Sequence, residues 1–171
     1  MVLCILLLPS QAEAKDCTLS PMTLTTNVMD FDTINAVAGG GSGNVIIGSN
    51  GNINYGAGYS GPGIGIGGQV TVTGDSGCKV NIYCMSTATL SDGAGNMMNL
   101  TNVQFTRSAQ NYGGGTPCAG MATPVLTRGN VNKTYYFSGI LDGSSGIPGY
   151  NPTFATSNIG GVGIIINVDY D

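Results

Sequence analysis

Apolar and polar residues alternate with a period of two along the closing stretch of this chain, residues 161–171. Ile164, Ile166, Val168 and Tyr170 fall on one face of an extended strand, and the residues between them fall on the other, which is typical of a half-buried strand. We therefore predict an all-β, antiparallel sandwich of short strands. Comparable segments begin at Met22, Gly43, Gly68, Cys78, Asn96 and Asn132, with turn signals at 49–51, 74–77, 92–93 and 142–143.

The glycine content supports strands and turns over helices. The chain has 29 glycines, and 13 of them lie in residues 39–68. That stretch also contains the apolar pieces NVIIG and NINY, which a plain flexible linker does not need. We predict two short edge strands with glycine bends there, in preference to a disordered loop.

The first fourteen residues, MVLCILLLPSQAEA, resemble a signal peptide. An apolar run from Val2 to Leu8 precedes Ala-Glu-Ala, the small-x-small pattern that signal peptidase cleaves. The run is much shorter than the ~20 residues of a membrane-spanning helix. We predict cleavage after Ala14, a single domain over residues 15–171, and export through the periplasm to the cell surface. A basic n-region is missing, so either the true start lies upstream of Met1 or the signal is atypical.

Cleavage would leave four of the five cysteines: Cys17, Cys78, Cys84 and Cys118. An even number in an exported chain indicates disulfides, with three pairings to consider. Cys78 and Cys84 lie six residues apart, or about 20 Å along one extended strand, too far for a direct bond. We expect Cys17 to pair with Cys78 and Cys84 with Cys118. A zinc site would need close C-x-x-C spacing, which is absent.

The low content of charged residues and the absence of histidine limit the functions to be expected of this chain. Lys, Arg, Asp and Glu make up 8% of the chain, against roughly a quarter in a typical soluble domain. A surface with so few charges suits packing against copies of the same chain or against a wall. The sequence shows no basic patch, so a nucleic acid partner is not expected. Because there is no histidine, we expect neither an enzyme nor a metal or other cofactor.

A pair of aspartates and a pair of tyrosines are further candidate binding sites. Asp30 and Asp32 alternate around Phe31, but the spacing of a calcium loop is missing, so solvent-facing carboxylates at a strand end are expected. Tyr55 and Tyr59 lie among glycines and could form an aromatic platform for sugars or other surfaces. The preferred alternative has such loop tyrosines packing over sheet edges with wet hydroxyl groups.

Several motifs occur in the order found in a known bacterial family. MDFDTI resembles the family's L-x-F-G-T-I opening, with Asp32 in place of Gly, and residues 70–82, VTVTGDSGCKVNI, are similar to its paired central strands. DGAGNMMNLTNVQF, YYFSGIL, a Pro-Gly-Tyr at 148–150 and the terminal INVDY follow in order, and the NPTFATSNIGG stretch departs as an insertion. From Met22 onward the chain thus resembles spore coat protein U-like and archaic chaperone-usher pilin domains.

The resemblance implies an incomplete immunoglobulin-like sandwich that lacks its final strand. In such pilins a periplasmic chaperone first lends a strand, and the N-terminal extension of the next subunit then replaces it after passage through an outer-membrane usher. The expected function is a structural subunit of a surface fibre or coat, with copies of itself or related pilins as partners. The alternative is a tip adhesin or glycan-binding module. The implied assembly residues are Ile164, Ile166, Val168, Tyr170, Leu19, Met22 and Leu24.

The origin of the donor strand is left open by the sequence. Cleavage after Ala14 leaves only Lys15 and Asp16 before Cys17, and a disulfide at Cys17 would tether that end to its own domain. Three solutions exist: the segment 15–28 is itself swapped, the start codon lies elsewhere, or this is a tip subunit that accepts a strand and donates none.

Overall fold

The computed structural model describes residues 16–26, 29–36, 43–91, 97–143, 153–155 and 165–171. The predicted signal peptide, residues 1–14, lies outside these residues and stays a prediction. The described part of the chain contains no α-helix, and in it no helix is long and apolar enough to span a membrane. It forms one 3-10 helix, Cys17–Leu19, followed only by strands and their connections.

The strands are short and follow the predicted alternation. The first seven are β1 (Thr23–Thr26), β2 (Asp30–Thr33), β3 (Asn35–Ala36), β4 (Val45–Ile47), β5 (Ile53–Tyr55), β6 (Tyr59–Ser60) and β7 (Gly68–Thr73). The next four are β8 (Lys79–Cys84), β9 (Ala88–Ser91), β10 (Met97–Thr106) and β11 (Thr116–Pro117). The last four are β12 (Leu126–Asn130), β13 (Lys133–Leu141), β14 (Thr153–Ala155) and β15 (Ile166–Tyr170).

The strands form an antiparallel β-sandwich, as predicted. The large sheet has the order β1-β7-β13-β10-β9-β14-β2, with β4 and β5 attached through β13 and β11 through β10. A second sheet has the order β12-β8-β15, and β3 and β6 form a small separate pair. Neighbours β1-β7-β13-β10 and β8-β15 have the chain order and adjacency of strands A-B-E-D and C-F in an immunoglobulin sandwich.

The core lies between these sheets because β7 and β8 each present every second residue to it. Val70 and Val72 on β7, and Val80 and Ile82 on β8, are fully buried. Phe105 packs between Tyr135 and Phe137, with ring centroids 5.6 and 5.8 Å apart, which suits the offset and edge-on arrangements that aromatic rings favour. The buried apolar residues of both sheets belong to one core.

The glycine-rich stretch is ordered where it is described. The prediction of two short strands is confirmed by β4 and β5, although β4 is not an edge strand because it pairs with both β13 and β5. Amide groups fix the turn between them: the Asn111 Oδ1 accepts hydrogen bonds from the side chains of Asn50 and Asn52, each at 2.9 Å. Gly51, with φ of 85°, lies in this turn in a conformation that favours glycine.

Four non-glycine residues adopt positive φ in the part of the chain that the structure describes, and one of them explains a departure from the family motif. Asp32, which replaces the motif's Gly, has φ of 54°. Asp is one of the residues that tolerate this region because its short side chain bonds the local backbone. Here the Asp32 N–H donates to the Asp30 carboxylate at 2.7 Å, and the Thr33 N–H donates to the Asp32 carboxylate at 2.7 Å. Both carboxylates of this half-buried pair are therefore hydrogen-bonded to the local backbone of β2.

The predicted disulfide pairing is confirmed. Cys17 bonds Cys78 across 61 residues with Cα atoms 5.7 Å apart, and Cys84 bonds Cys118 across 34 residues with Cα atoms 5.2 Å apart. The first cross-link holds the segment before β1 against the turn that joins β7 to β8. The second fastens the end of β8 to the loop after β11.

Replacing Cys84 and Cys118 together with Ala is expected to lower the free energy of unfolding by about 4 kcal/mol, since the cross-link closes a 34-residue loop in the unfolded chain. Urea denaturation of the oxidised proteins measures the difference. A loss below about 1 kcal/mol would contradict a stabilising role for this bond.

Candidate functional site

Leu24 on β1 faces the space between the sheets and yet remains exposed. In the register of β1 and β7, Leu24 lies opposite Val72. Residues opposite each other in an antiparallel pair point to the same face, and Val72 is fully buried in the core. Leu24 is nevertheless 43% exposed. The inner face of β1 therefore lacks a covering layer at this position.

β15, on the smaller sheet, also has inward-facing residues that are incompletely covered. Ile166, Val168 and Tyr170 lie opposite Cys84, Ile82 and Val80, all of which are fully buried. Val168 is itself buried, whereas Ile166 and Tyr170 are only partly buried and pack against the margin of the core. The predicted strand face is thus correct for these three residues. Ile164 lies outside the described residues.

β1 and β15 border one opening, which we call the seam. β1 runs away from the turn between β7 and β8 because it is antiparallel to β7. β15 runs toward the same turn because it is antiparallel to β8. At the turn end the Tyr170 hydroxyl group donates a hydrogen bond of 3.4 Å to the Pro21 carbonyl oxygen. This contact closes the seam at the end where the Cys17–Cys78 disulfide also lies.

Both strands that border the seam are edge strands in the described part of the chain. β1 pairs only with β7, and β15 pairs only with β8. The backbone groups on the outer edge of each strand are therefore available for pairing, a property that proteins usually mask. An extended segment placed in the seam could bond such an edge and cover Leu24 and Ile166 together.

The other two predicted assembly residues lie before β1. Met22 is partly buried and packs against the core, so it contributes to the domain's own folding. Leu19 lies in the 3-10 helix and is 82% exposed. Neither belongs to the inner face of a strand, because β1 begins at Thr23.

The structure separates the two tyrosines considered as surface platforms. Tyr59 is buried, and its hydroxyl group donates to the Gly143 carbonyl oxygen at 3.2 Å, so it packs into the fold as the preferred alternative expects, but its hydroxyl group is bonded to the backbone. Tyr55 is half-buried over the glycine-rich stretch, where its hydroxyl oxygen accepts from the Gly63 N–H at 3.4 Å. Burial raises the pKa of Tyr55 above its ordinary value.

Positive charge is concentrated on one part of the folded surface, which was not predicted from the linear sequence. Arg107, Arg128 and Lys133 line one cavity of about 260 Å³, and Lys79 and Lys133 line a second of about 290 Å³. The prediction that the chain has no basic patch is therefore wrong for the folded surface. A usable signal was present, since Arg128 and Lys133 lie only five residues apart and flank the short turn between β12 and β13.

Within the described ranges no group of three or more His, Cys, Asp or Glu side chains is arranged to hold a metal ion. The four described cysteines are bonded in pairs. The features with the most evident capacity to bind are thus the seam, which offers apolar surface and strand edges, and the two cation-lined cavities.

Replacing Leu24 with Ala is expected to lower the free energy of unfolding of the monomer by about 1 kcal/mol or less, because much of the side chain is already in water. The control is Leu100→Ala on β10, where a fully buried side chain is removed and about 2–5 kcal/mol is expected. Urea denaturation of the monomer compares them. Equal losses would contradict an uncovered inner face at Leu24.

Comparison with known proteins gives a family. The family described as "Domain of unknown function (DUF4402)" matches residues 22–132, from just before β1 to the turn between β12 and β13. No curated protein and no solved structure matches the chain. The matched residues make up more than half of the sequence and contain most strands of both sheets. The chain therefore belongs to the DUF4402 family.

Proposed function

We propose that this chain is a non-enzymatic structural subunit of an exported surface fibre or coat, assembled by donation of a β-strand between subunits. The seam carries the proposal. Leu24 and Ile166 face inward from two different sheets and are incompletely covered, and both strands have a free edge in the described part of the chain. One extended segment with alternating apolar residues would satisfy the faces and an edge at once.

The topology supports the same proposal. In an immunoglobulin sandwich the sheet that contains strands C and F is completed by strand G, which pairs with F. β8 and β15 correspond to C and F, and no described strand pairs with the far edge of β15. The seam is thus at the place that strand G would fill. The resemblance of MDFDTI, YYFSGIL and INVDY to pilin motifs agrees with this reasoning from the sheet order.

The donor is a segment of a second copy or of a related subunit. Residues 23–26 pair with β7 of their own domain, and Cys17 is bonded to Cys78. Residues 17–26 are therefore engaged, which favours a donor outside this range. During export a periplasmic chaperone would fill the seam, because an uncovered apolar edge strand promotes aggregation, and an outer-membrane usher would then exchange it for the donor. The two disulfides fit an oxidising compartment.

Expression of the mature, oxidised chain followed by electron microscopy and size-exclusion chromatography tests the assembly. We expect filaments or ladders of multimers that resist mild denaturant, since a donated strand is held by backbone hydrogen bonds and buried side chains. A stable monomer at all concentrations, with or without a related subunit present, would contradict the proposal.

Replacing Ile166 with Asp is expected to abolish these multimers, because it puts a carboxylate on the inner face of β15 where the donor would bury it. The control is Ile165→Asp, which introduces the same group one residue earlier, at a side chain that is 52% exposed and on the opposite face.

Circular dichroism of both monomers distinguishes failed assembly from failed folding. The proposal requires a folded Ile166→Asp monomer that does not polymerise and an Ile165→Asp chain that assembles like the wild type. Equal filament yields from the two variants would refute the assignment of the seam.

A further inference from the structure

The positive charge of this acidic protein is gathered on one surface. The chain has a net charge of −4 and only five Lys and Arg residues. The four of these that the structure describes, Lys79, Arg107, Arg128 and Lys133, line two cavities that share Asn130 and Lys133. Because the shared residues make the cavities contiguous, the cations form one basic surface, which we call the basic cleft.

Two of the cations in the basic cleft are free to bind an anion. The Arg128 side chain pairs with Asp171 at 3.1 Å, and Lys79 donates a hydrogen bond to the side-chain oxygen of Asn130. Arg107 and Lys133 are exposed and have no ion-pair partner among the described residues. The described residues that line the two cavities include no carboxylate. A ligand anion would therefore meet two uncompensated charges.

The backbone of β12 is bent where it supplies Arg128. The register between β12 and β8 shifts between Leu126 and Gly129, and Arg128 in this bulge has φ of 51°. The Asn81 side chain on β8 supports the bulge by accepting the Arg128 N–H at 3.1 Å. A non-glycine residue in this conformation costs free energy, and bulges are common beside binding sites because they redirect a side chain.

The walls of the basic cleft suit a sugar polymer. Asn130 and Thr134 line the first cavity, and Ser76 and Asn132 line the second, so uncharged polar groups accompany the cations along the whole path. Arg binds carboxylate or sulfate through a planar pair of N–H groups, and Lys supplies a point charge. Tyr135, the one aromatic ring among the described lining residues, is buried, and its hydroxyl group donates to the Asn130 carbonyl oxygen at 2.7 Å.

We infer that the basic cleft binds the carboxylate or sulfate groups of an acidic polysaccharide. A single-stranded nucleic acid fits less well, because single strands are bound by stacking on exposed aromatic rings, and Tyr135 in the lining is buried. β12, which carries Arg128, and β15, which borders the seam, are opposite edges of the smaller sheet. The basic cleft and the seam approach each other at the turn between β7 and β8, where Cys78 lines the second cavity. The described lining residues are other than those of β1 and β15, so polysaccharide binding can be measured apart from strand exchange.

The test uses the oxidised mature protein and four probes: heparin, polygalacturonate, neutral dextran and a short DNA duplex. Binding is measured by isothermal calorimetry at low and at physiological salt. We expect heparin and polygalacturonate to bind. Salt is expected to weaken this binding, because the contacts are between exposed charges. Dextran is expected not to bind.

The variant Arg107→Gln/Lys133→Gln is expected to weaken binding to both acidic polymers at least tenfold. These exposed, unpaired side chains can be changed without disturbing the core. The control, Ser60→Asp/Asn99→Asp, makes the net charge more negative by the same amount at exposed positions outside the cleft, and less than a threefold change is expected.

Three results would overturn the inference. The first is that the Gln variant binds as tightly as the wild type, or that the wild type does not bind at low salt. Either result would show that the basic cleft is not a binding site for these polymers. The second is an equal loss in the control, which would assign the effect to net charge alone. The third is tighter binding to the DNA duplex than to heparin and polygalacturonate at matched salt, which would identify the ligand as nucleic acid.

Discussion

The connection from β7 through its turn to β8 is the element on which the rest of this structure depends. β7 belongs to the large sheet and β8 to the smaller one, so the turn between them joins the two layers of the sandwich. Val72 and Val80 are fully buried on the facing sides of the two strands. β7 pairs with the edge strand β1 and β8 pairs with the edge strand β15, so the registers of these two pairs decide which residues of β1 and β15 face the core.

The registers of these two pairs leave inward-facing apolar side chains incompletely covered at the margin of the sandwich. Leu24 is turned inward by pairing opposite Val72, and Ile166 by pairing opposite Cys84, but the strands that carry them belong to different sheets and do not pair with each other. The Tyr170 contact with Pro21 holds the strands together at one end only. A fold of this kind gains buried apolar area when a further strand enters, and this is the physical basis of the proposed assembly.

β12, the edge of the smaller sheet opposite β15, carries positive charge. β12 carries Arg128 on a bulge, and the turn that follows brings Lys133 beside it. Across the outer face of this sheet, the Asn81 side chain accepts from the Arg128 backbone and donates to Asp171 at 3.3 Å. Apolar surface for subunit contact and charged surface for a polymer are thus placed on different edges of one sheet.

The alternation of side chains was enough to predict the all-β sandwich, the inner face of β15 and the short strands of the glycine-rich stretch, because the two-residue period of a strand is a local property. The expected disulfide pairing also agreed with the folded chain. Exposure is not local. Leu24 is uncovered and Tyr59 is buried because of what other strands do or do not place over them. Likewise, Lys79, Arg107 and Lys133 are far apart in sequence and become neighbours only when the sheets stack, so only the tertiary structure decided where the seam and the basic cleft lie.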